Sequence, residues 1–112
     1  MKAYVPDSGD LVWLTLDPQA GHEQAGRHPA LVLSPAAYNA KARLALVCPI
    51  TRHAKGYPFE VKVLSVGGLT GVILSDHIKS LDWKVRRAEK LGNCPQQTLD
   101  EVRARIAPLL GF

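Results

Sequence analysis

Two polar segments of the chain carry the residue types that chemistry on a phosphate ester needs. The acids, bases, hydroxyls and cations in them are Glu23, Arg27 and His28 in the first segment, and Thr51, Arg52, His53 and Lys55 in the second. RNA supplies its own nucleophile, the 2′-hydroxyl, so its cleavage requires only a base, an acid and groups that stabilise the charged transition state. These residues suffice for that reaction, although charged loops are more often simply solvated.

Other kinds of catalysis lack the sequence patterns that they need. Metal-dependent hydrolysis gathers carboxylates or histidines around an ion, but the aspartates stand singly, mostly beside turns: Asp7, Asp10, Asp17, Asp76 and Asp82. Neither Ser34 nor Ser75 lies in a G-x-S-x-G sequence, and the nucleotide-binding glycine motifs are missing. Cys48 and Cys94 are too far apart for a C-x-x-C pair. We therefore expect no metal ion and no cofactor.

Short apolar segments bounded by turn residues predict that the chain is mainly β. The predicted strands are 11–16, 30–34, 43–51, 59–64 and 72–74. The predicted connections are a polar loop at 18–28, a short turn or helix at 35–42 and a turn at Gly67-Gly68. Residues 76–82 are ambiguous, and the basic run 84–90 fits either a strand or a turn.

The last predicted element is an amphipathic helix over residues 98–110. Thr98 and Glu101 fit a capping box, which satisfies backbone N–H groups at a helix start. Apolar residues recur at helical spacing, namely Leu99, Val102, Ile106 and Leu109. Pro108 is expected to distort the last turn. Short strands followed by one helix predict a small, strongly curved antiparallel sheet or barrel with the helix packed on it.

Length and composition predict one small domain over residues 1–112, with 46% apolar residues to form a core. Fourteen Lys and Arg against ten Asp and Glu give a net charge of +4, which favours an anionic partner such as nucleic acid. We expect no signal peptide and no membrane span, because no apolar run has the required length. With cysteines that we expect to be reduced, this predicts a cytoplasmic protein.

Three segments in order resemble the MazF/PemK/ChpB family of bacterial toxins. They are Y-V-P-D-S-G-D-L-V-W-L-T-L-D-P (4–18), G-H-E-Q-A-G-R-H-P-A-L-V-L-S (21–34) and K-G-Y-P-F-E-V (55–61), with a weaker match at D-H-I-K-S-L-D-W (76–83). The resemblance implies an SH3-like barrel, shared with the gyrase toxin CcdB, and a homodimer. It also implies a metal-independent endoribonuclease that cuts single-stranded RNA at short motifs, leaves 2′,3′-cyclic phosphate and 5′-hydroxyl ends, and is inhibited by a MazE-type antitoxin.

The resemblance assigns catalytic roles to Glu23, in G-x-E-Q, and to Thr51, at the end of the third strand; it makes Lys55 an RNA-binding residue. The arginine departs from the family order G-x-R-P, because Gly26-Arg27-His28-Pro29 places His28 next to the proline. Alternation along a strand would point His28 into the site and Arg27 away from it. We nevertheless expect Arg27 to reach the phosphate, since a guanidinium binds phosphate best, and His28 to donate or accept a proton.

The remaining expectations concern RNA binding and partners. Arg52 is expected to bind phosphate, and Asp17 either faces a base edge or begins a turn. The basic cluster of Lys84, Arg86, Arg87 and Lys90 either holds the RNA backbone or is a solvated face. Trp13 is expected next to the core, and the resemblance places it near the dimer interface and antitoxin surface. Two alternatives stay open: a gyrase-poisoning toxin of the same fold, and a catalytically impaired RNA-binding member.

Overall fold

The structure, a computed structural model, describes residues 3–16 and 27–112. Over these residues the chain forms seven strands, two α-helices and a 3₁₀ helix. In chain order they are β1 (Asp10–Thr15), β2 (Arg27–Val32), α1 (Ala36–Ala42), β3 (Leu44–Thr51), β4 (Glu60–Val66), β5 (Leu69–Leu74), β6 (Lys79–Asp82), β7 (Glu89–Asn93), α2 (Gln96–Ile106) and the 3₁₀ helix Ala107–Leu110. The prediction of a mainly β chain with a C-terminal helix is confirmed.

All strand pairs of the sheet are antiparallel, and the strand order is β4-β5-β3-β2-β1-β7. Strand β6 lies off this path and pairs with the first half of β3. Strand β3 therefore pairs with β6 over its first residues, with β2 in the middle and with β5 at Ile50 and Thr51. A strand that changes partners along its length bends the sheet, and the result is the curved half-barrel that the sequence predicted.

The two faces of the sheet bury two apolar clusters. Helix α2 covers the first cluster with Leu99, Val102 and Ile106, which pack on residues such as Leu31 and Ile73. The second cluster joins alternate residues of β1, β2 and β3, and is covered by side chains that include Tyr4, Leu81 and Trp83. Because successive strand residues face opposite sides, each central strand contributes to both clusters.

The structure corrects two predictions about how elements begin. Strand β2 starts at Arg27, so Arg27 and His28 belong to a strand and not to the predicted loop. Their backbone groups find hydrogen-bond partners on β1, which lies opposite them, and composition alone does not reveal this pairing. Helix α2 begins at Gln96 after Pro95, with no side-chain capping bond, so the predicted capping box is wrong. After Ile106 the α-helix is followed by the 3₁₀ helix Ala107–Leu110. This turn contains Pro108, the residue that was expected to distort the end of the helix.

Both cysteines are free and buried. Burial, with a smaller contribution from Asp76, raises the pKa of the Cys48 thiol to about 12. Burial also raises the pKa of Cys94 to about 11. Both thiols are therefore protonated and unreactive at neutral pH. No helix within residues 3–16 and 27–112 is long and apolar enough to cross a membrane.

A buried asparagine ties the N-terminal segment to helix α1 and to strand β3. Asn39 is fully buried; its amide nitrogen donates to the carbonyls of Pro6, at 2.8 Å, and Ser34, at 3.0 Å. Its amide oxygen accepts from the Ser34 hydroxyl at 2.6 Å, and that hydroxyl accepts from the backbone N–H of Leu46 at 2.9 Å. The indole N–H of Trp83 donates to the Asn39 backbone carbonyl at 2.9 Å. Every polar atom of this side chain is therefore satisfied inside the protein.

Replacing Asn39 by alanine should lower the free energy of unfolding by roughly 1–3 kcal/mol, because the Ser34 hydroxyl and two carbonyls lose a buried partner. Urea denaturation measures this difference. Asn93→Ala is the matched control, since Asn93 is exposed at the end of β7, and it should change stability by less than about 0.5 kcal/mol. Equal effects of the two substitutions would contradict a structural role for this network.

Candidate active site

A cavity of about 320 Å³ opens where the ends of β1, β2, β3 and β5 meet. Its wall combines cations, imidazoles and hydroxyls with an apolar floor, and the residues are Trp13, Arg27, His28, Pro29, Ile50, Thr51, Arg52, His53, Leu69 and Thr70. The described lining thus holds two arginines and two histidines but no carboxylate. A concave site with this charge suits an anionic ligand.

Strand pairing places the guanidinium of Arg27 at the edge of this cavity. Arg27 lies opposite Thr15, and its Nη1 donates to the Thr15 hydroxyl at 3.2 Å and to the backbone carbonyl of Arg86 at 3.1 Å. Its Nη2 contacts a carboxylate oxygen of Glu89 at 2.5 Å. The side chain is only 20% exposed, so these contacts hold a largely buried cation in one position.

The alternation argument assigned Arg27 to the wrong face. The cross-strand pairs Thr15–Arg27 and Trp13–Pro29 lie two residues apart along β1 and β2, so their side chains share one face of the sheet. Trp13 and Pro29 line the cavity, and Arg27 is thus on the side of the site and not away from it. The prediction failed because it took the residue next to Pro29 to face the site, whereas the register puts residues 27 and 29 on the face of Trp13.

His28 follows Arg27 on β2 and pairs with Leu14. Its side chain is exposed, and the residue forms part of the cavity wall. Both Arg27 and His28 thus line the cavity, but their side chains leave β2 on opposite faces: the guanidinium is fixed by hydrogen bonds, and His28 is exposed. The two residues do not compete for one position.

Thr51, at the end of β3, also lines the cavity. Its hydroxyl oxygen accepts the backbone N–H of His53 at 3.1 Å, which leaves the hydroxyl proton free to donate to a ligand. Its position depends on Gly71 of β5, because a Cβ atom at residue 71 would lie 2.5 Å from the Thr51 carbonyl oxygen. Only glycine permits this approach of the two backbones.

Lys55 is exposed and is not among the cavity residues, but its loop is held by a carboxylate. Glu60 accepts the backbone N–H groups of Lys55 at 2.9 Å and of Gly56 at 2.8 Å. The hydrogen bond from Lys55 is the largest of the causes that hold the pKa of Glu60 below its ordinary value, and bonds from Gly56 and Tyr57 add to it. Arg52 and His53, at the start of the same loop, do line the cavity.

The other predicted site residues lie elsewhere. Glu23 and Asp17 fall outside the described residues. Lys84 is exposed in the turn between β6 and β7 and does not line the cavity. Arg86 has a structural contact that the sequence does not reveal, since its guanidinium donates to the carbonyls of Thr15 at 2.9 Å and Leu16 at 3.1 Å. Trp13 is half-buried and forms part of the cavity wall.

His53, named above among the polar residues of the second segment, is exposed and lines the cavity. One further residue, which contacts Arg27, was not identified from the sequence. Glu89 was hidden inside the basic run 84–90, and its contact with Arg27 spans 62 positions of the chain. The one available signal was that Glu89 is the single acid in a segment otherwise rich in Lys and Arg.

A curved antiparallel sheet with a cationic cavity at the ends of its strands defines a small β protein suited to bind a polyanion. The family model that describes PemK-like, MazF-like toxins of type II toxin–antitoxin systems matches residues 7–110. The chain is 49% identical to the endoribonuclease toxin MazF of Escherichia coli K12 over 99% of both chains. It is 36% identical to the endoribonuclease PemK of Escherichia coli, covering 93% of this chain and 81% of PemK.

Solved structures agree with the sequence matches. A crystal structure of MazF from Deinococcus radiodurans shares 58% identity and superposes with a TM-score of 0.88, covering 98% of this chain and all of that chain. A MazE–MazF complex from the same organism shares 56% identity, with a TM-score of 0.89 over 97% and 99% of the two chains. The chain therefore belongs to the PemK-like, MazF-like toxin family of type II toxin–antitoxin systems.

Protonation of Glu60 should release the loop that carries Lys55. The pKa of Glu60 is lowered in the folded protein, so its contacts stabilise the loop above the unfolded-state pKa and are lost as the pH falls through the lower folded pKa. We expect the amide resonances of Lys55 and Gly56 to shift together in an NMR pH titration, with a midpoint below the ordinary glutamate value of 4.5. Glu60→Gln should abolish this transition, and a midpoint at or above 4.5 would contradict the assignment.

Proposed function

We propose that this protein is the toxin of a type II toxin–antitoxin system and an endoribonuclease that cuts single-stranded mRNA at short sequence motifs. The observation that carries the proposal is the cationic cavity that Arg27, His28 and Thr51 line together. Relatives that match nearly the whole chain are named endoribonucleases, which supports this reaction class and not the gyrase-poisoning alternative.

The reaction proposed is an internal transesterification that needs no metal ion. The 2′-oxygen of the RNA forms a bond to the adjacent phosphorus while the bond from phosphorus to the 5′-oxygen breaks. One proton passes from the 2′-hydroxyl to a base, and another passes from an acid to the leaving 5′-oxygen. The products are a 2′,3′-cyclic phosphate and a 5′-hydroxyl, and negative charge accumulates on the phosphate oxygens in between.

Arg27 and Thr51 are proposed to stabilise that charge within the cavity. A guanidinium has five N–H donors, and within the described residues the two Nη1 contacts, to Thr15 and Arg86, hold the guanidinium of Arg27. The remaining donors can bind phosphate oxygens, with the group already in position. The Thr51 hydroxyl proton is available in the same way, because the oxygen accepts and does not donate in its contact with His53.

His28 is proposed to transfer a proton, and Glu23 is proposed as the second such group. An imidazole ordinarily titrates at about pH 6.5 and can serve as base or acid near neutral pH. The support for this role is that His28 is exposed and is one of the residues that line the cavity. The arginine of the usual family order has no such capacity, so the Arg–His order adds a titrating group beside the guanidinium.

The surrounding cations are proposed to hold the RNA chain on either side of the cleaved bond. Arg52 lines the cavity, and Lys55 follows it on the loop held by Glu60. Phosphate contacts of this kind give affinity without reading the base sequence. Lys84 and Arg86 are proposed to extend this surface beyond the cavity, and Asp17 to contact a base edge.

We further propose that the protein acts in the cytoplasm as a homodimer, inhibited by a MazE-type antitoxin. The MazE–MazF complex of the Deinococcus radiodurans relative supports the antitoxin partner. Exposed apolar side chains that a dimer could cover include Leu110 and Phe112, which are 61% and 90% exposed. Trp13 is proposed to lie near the surfaces used by the partner subunit and the antitoxin. A cytoplasmic site follows from the substrate, because mRNA is translated there.

Wild-type protein should cut a long natural single-stranded RNA at discrete positions in EDTA, as mapped by primer extension. Arg27→Ala should reduce the cleavage rate by about 10²–10³-fold, the usual effect of losing one group that stabilises transition-state charge. Arg103→Ala removes the same charge from helix α2, outside the cavity lining, and should cut as the wild type does. Absence of cutting by a folded wild type would reject the nuclease and favour the impaired RNA-binding alternative.

The pH dependence of single-turnover cleavage should show whether His28 transfers a proton. We expect the wild-type profile to have a limb in the neutral region and His28→Gln to lose that limb, since glutamine does not titrate. Folding of the variant is checked by circular dichroism. A neutral limb that survives unchanged in His28→Gln would show that His28 has no proton-transfer role.

A further inference from the structure

The contacts of the Arg27 guanidinium are of two kinds. Those made by Nη1 are internal, to the Thr15 hydroxyl and the Arg86 carbonyl, and they join the ends of β1 and β2 to the turn before β7. The contact of Nη2 is to the carboxylate of Glu89, at 2.5 Å. The two Nη1 contacts are to neutral oxygen atoms, so they hold the guanidinium in place and leave its charge unopposed. The Nη2 contact sets a negatively charged carboxylate against the guanidinium.

Glu89 differs from Arg27 in its exposure. The Glu89 side chain is 71% exposed and the Arg27 side chain 20%. An ion pair with one partner this open to solvent contributes little to the stability of the fold, because water solvates a free carboxylate nearly as well. Of the contacts of Arg27, the ion pair with Glu89 is therefore the one whose exchange for another anion costs the least free energy. The Nη1 contacts stay in place during such an exchange.

The carboxylate of Glu89 contacts the guanidinium on the face of the sheet that carries the cavity, although Glu89 is not one of the cavity-lining residues. Glu89 pairs with Trp13 in the register of β1 and β7, and Trp13 lines the cavity. A carboxylate and a phosphate present similar pairs of oxygen atoms to a guanidinium and bind it with the same geometry. The two anions therefore compete for the same donors of Arg27.

We propose that Glu89 is an internal competitor of the RNA phosphate: its carboxylate occupies the anion position of Arg27 in the free protein and is displaced when RNA binds. Glu89 is thus a residue that sets affinity for the substrate without touching the reacting atoms. This inference rests on the proposed role of Arg27 as the phosphate-binding group. Its consequence is that removal of the negative charge strengthens RNA binding, the opposite of what loss of a supporting residue does.

Glu89→Gln tests the proposal, because the amide keeps an oxygen acceptor for Arg27 and removes only the charge. Binding is measured by fluorescence anisotropy with a short labelled single-stranded DNA of the sequence around a mapped cut, which lacks the 2′-hydroxyl and cannot be cleaved. We expect the Kd to fall about 3–10-fold at low salt, with the gain shrinking as salt screens the charges. In cleavage assays KM should fall with it while kcat stays unchanged.

Three variants separate competition from a general effect of charge or structure. Glu101→Gln removes the same charge from helix α2, where Glu101 is half-exposed and pairs with Arg105 at 3.0 Å; it should bind as the wild type does. Glu89→Asp keeps the charge and should leave binding close to that of the wild type. In the Arg27→Ala background, Glu89→Gln should give no gain, because the group for which the anions compete is gone.

Several results would overturn the inference. The first two are a Kd for Glu89→Gln equal to that of Glu101→Gln, or weaker binding by Glu89→Gln than by the wild type. The third is a gain in affinity that persists when Arg27 is replaced by alanine. The fourth is a loss of kcat at unchanged Kd, which would show that Glu89 supports Arg27 and does not compete with RNA. Failure of the proposed function is distinguishable, since binding does not require cleavage: a wild type that binds a mixed-sequence DNA strand and never cuts RNA refutes the nuclease alone. A wild type that binds no strand refutes the competition as well.

Discussion

Strand β3 supplies hydrogen-bond partners to three other strands along its length. The curved shape of the sheet depends on this sharing of one strand among three partners. Its first residues pair with β6, its middle with β2 and its last two residues with β5. Backbone groups inside a protein must find partners, so the sheet has to curve around β3 to satisfy all of them. The curvature brings Thr51 and the first residues of β2 to the lining of one cavity.

The site separates the task of holding Arg27 from the task of neutralising it. Neutral oxygen atoms of Thr15 and Arg86 fix the guanidinium, and they do so without reducing its charge. A fixed cation in a partly enclosed site stabilises a developing anion better than a mobile one, since no reorganisation is needed during the reaction. The exposed carboxylate of Glu89 then sets how strongly the guanidinium binds an anionic ligand.

Local pattern was sufficient for most of the strands, for the C-terminal helix and for the family, because apolar alternation and contiguous motif strings are visible in the sequence. It was insufficient where a partner lies far away in the chain. Strand β2 begins at Arg27 only because β1 pairs with it, and the helix start at Gln96 follows Pro95 and uses no capping side chain. The roles of Glu89 and Arg86 at Arg27 arise from contacts across about sixty positions, which spacing does not indicate.

Those distant contacts have a consequence for the protein while it is being made. The chain emerges from the ribosome N-terminus first, so Arg27 is synthesised long before the carbonyl of residue 86 exists to hold it. Strand β7, which flanks β1, is also synthesised late. A partly synthesised chain thus has the arginine without its full support, and the phosphate-binding arrangement is assembled only after residue 86 has left the ribosome. The order of synthesis therefore delays the assembly of this site while the ribosome is still reading the message.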